Sequence, residues 1–104
     1  MFLSGDNAEL RNRITQTMCS APLAVAIPVL RGVMSWNGVG ALRLCEAPLL
    51  ILRCETGGSN DAARLLALKP NLQIGVTVGS GHFHQLEVPE QVTPMIERFV
   101  KTLP

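Results

Sequence analysis

The chain has 104 residues, 47% of them hydrophobic and 16% charged, and its nine basic and eight acidic side chains leave a net charge of +1. That length holds one domain, residues 1–104, with a small core. The apolar surplus points to surface meant for a partner, so a homo-oligomer, most simply a dimer, is expected. Basic residues scattered singly from Arg11 to Lys101 exclude a nucleic-acid stripe, and no uncharged apolar run reaches the roughly 18 residues of a membrane span. With no basic leader before the first helix, the chain reads as cytoplasmic.

Residues 8–19, AELRNRITQTMC, place Leu10, Ile14 and Met18 four apart among polar residues, which predicts an amphipathic helix capped by Asp6 or Asn7. Residues 22–36 repeat the pattern at Leu23, Ile27, Leu30 and Met34. Pro22 suits a first helical position, and Pro28 is expected to kink or split the helix. Met18, Met34 and Trp36 read as core or interface packing. Asn37-Gly38 ends this pair, and a short helical turn follows around VGALRLC.

PLLILRC, residues 48–54, is a near-continuous apolar run, the pattern of a strand buried on both faces of a parallel sheet. Ser59 or Asn60 then caps a helix over 61–69 with Leu65, Leu66 and Leu68 inward. LQIGVTV, residues 72–78, is a second strand, and strand, helix, strand makes a parallel βαβ unit. The last segment carries Met95, Ile96, Phe99 and Val100 on one face and packs back on the sheet. Pro94 divides it, with Thr93 as cap and PEQV as a separate turn. The fold class is therefore α/β, a small parallel sheet of about two strands with flanking helices. Cys19, Cys45 and Cys54 lack C-x-x-C spacing and read as buried reduced thiols rather than disulfides or a zinc site.

GSGHFHQLEVPE, residues 79–90, carries the chemistry. Glycines after a strand let the backbone turn sharply, and a histidine there projects over the C-terminal edge of the sheet, where ligands and catalytic groups of open α/β sheets collect. An imidazole at that place serves as general base and then acid. His84 reads as a surface or cap histidine, and Glu87 as an acceptor for backbone N–H groups at the turn. His82, His84 and Glu87 together offer zinc-type ligands without a diagnostic spacing. VGSG lacks the G-K-[ST] ending and the full G-x-G-x-x-G of phosphate loops, so no cofactor is expected.

From MSWNGVGALRLCEAPLLILRCE to the C-terminus, and most specifically in GSGHFHQLEVPEQV, the chain resembles the final portion of an α/β-hydrolase, residues 46–104 corresponding to its closing βαβα segment. Residues 8–36 resemble the helical cap such enzymes insert before the strand. The resemblance implies that His82 is the triad histidine; Gly57 stands where family members often carry the acid, and Glu55 and Asp61 are the nearby substitutes. A nucleophile should precede them at a G-x-S-x-G elbow. None of the five serines, Ser4, Ser20, Ser35, Ser59 and Ser80, lies in that motif. The chain is thus expected to be a truncated α/β-hydrolase-like protein, a remnant or one part of a split ester- or amide-type hydrolase completed by a second half. The alternative is a small non-enzymatic α/β protein acting through homo-oligomerisation or ligand binding.

Overall fold

The structure, a computed structural model, describes residues 7–55 and 61–104. In chain order it contains α1 (Ala8–Cys19), α2 (Leu23–Ser35), α3 (Gly38–Leu44), β1 (Leu50–Arg53), α4 (Ala62–Leu68), β2 (Gln73–Val76), α5 (His84–Glu87) and α6 (Pro89–Lys101). β1 and β2 pair in parallel, from Leu50 opposite Gln73 to Arg53 opposite Val76, with α4 as the crossover. The class is α/β, a two-stranded parallel sheet with flanking helices.

Short polar side chains start three of the helices. Asn7 Oδ1 accepts from Leu10 N–H, Asn37 Oδ1 from Gly40 N–H and Asp61 Oδ1 from Arg64 N–H, each at 3.1 Å, satisfying donors that have no partner within the helix. The caps expected at Ser59 or Asn60 lie outside the described residues, and Asp61 caps α4 itself.

Neither internal proline breaks its helix. α2 runs through Pro28 and α6 through Pro94, because each removes one backbone donor while the turns on both sides keep their bonds. Pro89 opens α6 at its first turn, so PEQV belongs to the helix and Thr93 is no cap. The inward face of α6 is Val92, Met95 and Phe99, whereas Ile96 and Val100 are exposed. On α4, Leu65 and Leu68 are half-buried and Leu66 faces out.

α6 packs on β1, and Gly75 marks how closely. A Cβ there would come within 2.7 Å of Leu52 Cδ2 and 2.9 Å of Met95 Cε, distances that only a missing side chain allows. On the opposite face Lys69 Nζ donates to Cys45 O, tying the end of α4 to the end of α3.

The sheet is less covered than a strand buried on both faces requires. All four β1 residues keep partial exposure and both end residues of β2 are exposed, because two strands give helices too narrow a platform to close over. A hollow of about 560 Å³ lies between α3, β1 and α4, lined by Trp36, Leu42, Leu49, Ile51 and Leu65 with Asp61 at its wall. Another of about 360 Å³ lies between the strands and α6.

Among the described residues the buried apolar core is Ile14, Cys54, Leu72 and Val92. A radius of gyration of 15.8 Å against about 13 Å for a compact chain of this length agrees with so small a core. α1 and α2 meet at a 97° bend, and α2 has no buried residue. Leu23 is 73% exposed, Val33 67%, Met34 87% and Trp36 70%, so Met34 and Trp36 are not core residues, and neither is Met18. Of the thiols only Cys54 is buried; Cys45 is half-buried and Cys19 exposed. Among the described residues no single helix is long and apolar enough to cross a membrane.

Candidate functional site

The segment after β2 is held by side chains from α5, from α6 and from Glu55 just past β1. Thr77 N–H makes the last strand-like bond, to Arg53 O at 2.9 Å. Val78 then has no strand beside it, and the Gln91 carboxamide of α6 takes that place: Val78 N–H donates to Oε1 at 2.8 Å and Nε2 donates back to Val78 O at 2.9 Å. An amide side chain carries the donor and acceptor of a peptide group, so Gln91 ends the strand without leaving the backbone bare.

Two carboxylates pin the glycine pair. Gly79, at φ +66°, adopts the left-handed conformation that glycine alone enters without strain, and its N–H donates to Glu55 Oε2 at 2.6 Å. Gly81 is buried, and its N–H is shared between Glu87 Oε2 at 3.1 Å and Oε1 at 3.3 Å. The α5 turn returns Glu87 to that position, because Leu86 and Glu87 N–H both donate to Phe83 O.

Removing this carboxylate should be costly. Glu87→Ala leaves the buried Gly81 N–H without its acceptor, and a loss of about 2 kcal/mol of stability is expected in urea unfolding. Glu87→Gln, which keeps an oxygen at the same reach, should lose less than half of that.

Beneath the loop lies a buried hydroxyl network. Thr77 and Ser80 are both 0% exposed. Thr77 Oγ1 is 2.6 Å from Ser80 Oγ, 3.2 Å from Arg53 O and 3.1 Å from His84 Nδ1. His84 is therefore not a surface histidine: it is half-buried, and its ring is fastened to the end of β2.

His82 sits where these restraints converge and shares in none of them. It is exposed, its ring meets Phe83 edge-on at 5.1 Å, and among the described residues neither ring nitrogen makes a hydrogen bond. The loop thus delivers an imidazole whose nitrogens are unengaged among the described residues, on a backbone fixed by Glu55, Glu87 and Gln91.

The residues expected as partners of His82 do other work. Glu55 sits at the same C-terminal end of the sheet, but its carboxylate restrains Gly79. Asp61 caps α4 and lines the hollow beside Trp36. Ser80, the serine nearest His82 in sequence, has its hydroxyl buried against Thr77, which excludes it as an accessible nucleophile. Among the described residues no three of His, Cys, Asp and Glu gather to hold a metal ion, and Glu87 spends both oxygens on Gly81.

Sequence reasoning missed Thr77, Ser80, His84 and Gln91. The first two carried a faint signal, polar residues inside VTVGSG at the end of an apolar strand; Gln91, thirteen residues from its partner, carried none. No family model, curated protein or solved structure matches this chain.

Proposed function

We propose that this chain supplies the histidine of an α/β-hydrolase-type site whose nucleophile comes from a second chain. The observation that supports it is the pinned loop: His82 stands at the C-terminal end of the sheet on a fixed backbone, and among the described residues neither ring nitrogen is engaged. A general base needs that freedom together with that fixity.

In this reading His82 takes the proton of an incoming hydroxyl nucleophile and returns it to the leaving group of an ester or amide. Glu55 and Asp61, the carboxylates nearest in sequence to the position where the family carries its acid, are the candidate acids, and each now holds a backbone N–H that it would have to release. The second chain has to bring both the nucleophile elbow and the oxyanion donors. The exposed apolar faces of α2 and the incompletely covered sheet are the surfaces it would bury. Free thiols at Cys19 and Cys45 fit a reducing compartment such as the cytoplasm.

The test is reconstitution with a polypeptide that carries a G-x-S-x-G strand–turn–helix and is encoded beside this one. The pair is expected to hydrolyse an activated acyl ester, with neither chain active alone. Equal turnover by the second chain without this one removes the proposal.

A second reading has its own support in α2, whose apolar residues are exposed around the helix rather than along one stripe. In that reading the chain is a non-enzymatic homo-oligomer, most simply a dimer joined through α2. Sedimentation separates the two: a stable homodimer that buries α2 and shows no turnover in any pairing favours the second.

A further inference from the structure

We infer that His84 is a positioning residue: Thr77 holds it as the Nδ1–H tautomer, and this bond clasps shut the loop that presents His82. The functional meaning rests on the reading of His82 proposed above, while the tautomer and the clasp are properties of the chain alone.

The tautomer follows from counting protons. Thr77 Oγ1 has three partners: Arg53 O at 3.2 Å, Ser80 Oγ at 2.6 Å and His84 Nδ1 at 3.1 Å. Three hydrogen bonds need three protons, and the Thr77 hydroxyl has one. Arg53 O can only accept, so the Thr77 proton goes there. Ser80 must then donate its own proton to Thr77, and His84 must donate from Nδ1.

The competing arrangement protonates Nε2 and has Thr77 donate to a bare Nδ1. It turns the Thr77 to Arg53 contact into two facing oxygen lone pairs. At a threonine of 0% exposure no water relieves that contact, so the three-bond arrangement is the stable one.

The clasp follows from where the bond lies. Thr77 closes β2 and His84 opens α5, so their side chains tie the two ends of the segment 77–84. Within it Gly79 and Gly81 are already held by Glu55 and Glu87. His82 lies between Gly81 and the tied end, and its backbone is restrained on both sides although its ring makes no hydrogen bond among the described residues. The arrangement also survives a second proton on His84: the imidazolium still donates from Nδ1.

The test is a long-range 1H–15N correlation spectrum of the 15N-labelled chain, recorded at alkaline pH where the ring 15N signals no longer change with pH. His84 is expected with Nδ1 protonated and Nε2 bare, and His82 with the averaged signals of an unrestrained ring. Thr77→Ser, which keeps the hydroxyl, should keep the His84 pattern. Thr77→Val should lose it and speed amide exchange at Gly81 by about tenfold.

A wild-type His84 protonated at Nε2 overturns the tautomer. Unchanged Gly81 exchange in a folded Thr77→Val protein overturns the clasp. If Thr77→Val does not fold, the wild-type and Thr77→Ser spectra still decide the tautomer, and Gly81 exchange in His84→Gln, which loses the ring donor, decides the clasp. None of these readings involves turnover, so failure of the hydrolase reading leaves them standing and is seen separately.

Discussion

His82→Ala, introduced into the assembled pair, is expected to lower kcat/KM for an activated ester by about a thousandfold, the scale of a lost general base. That corresponds to about 4 kcal/mol at the transition state. The folded chain should barely notice the change. Among the described residues the ring makes no hydrogen bond, and its one ring contact is the edge of Phe83, so melting of the variant should match the parent. Separation of turnover from stability is what distinguishes a catalytic imidazole from a structural one. A variant that loses activity and stability together would return His82 to an ordinary loop role, and one that keeps full turnover would place the base elsewhere.

Thr77→Val should give the largest loss of stability of any single change in the loop, about 3 kcal/mol. The two side chains have similar volume, so the packing around residue 77 is nearly kept and the effect isolates the hydroxyl. Without it the Ser80 hydroxyl, at 0% exposure, and His84 Nδ1 both lose the atom they point at, and each orphaned polar group costs about 1–3 kcal/mol. Thr77→Ser removes a methyl and keeps the network, for a cost near 1 kcal/mol. Ser80→Ala leaves Thr77 its bonds to Arg53 O and to His84, and should fall between the two. Urea unfolding of the three variants reads this order directly; a Thr77→Ser loss as large as that of Thr77→Val would mean that packing, not hydrogen bonding, holds the site.

The parts of the fold that were legible in the sequence are those governed by local chemistry. Asn7 stands where a short polar side chain satisfies a helix donor, and the apolar runs at 48–54 and 72–78 did contain the paired strands. The prolines misled because their cost is local and finite: Pro28 and Pro94 each remove one bond from a helix that has others. The degree of burial misled for a different reason. Leu50–Arg53 has the composition of a doubly covered strand, yet cover is a property of what packs on it, and a two-stranded sheet brings too little.

At the site, the glycine pair, His82 and the turn role of Glu87 were visible as residue types in a pattern. The restraints were not, because they cross the chain: Glu55 reaches Gly79 over 24 positions, and Gln91 reaches Val78 over 13. His84 had the appearance of a surface residue because nothing in HFHQ signals that the turn folds its ring back onto Thr77.

Intact-mass analysis after fluorophosphonate treatment tests the central claim most directly, run on this chain alone, on the second chain, and on the pair with and without His82→Ala. The expected result is an adduct on the serine of the second chain, formed rapidly only in the pair and only when His82 is present, with no adduct on this chain. A stoichiometric adduct on a serine of this chain alone, or labelling of the partner serine that is indifferent to His82, would contradict it.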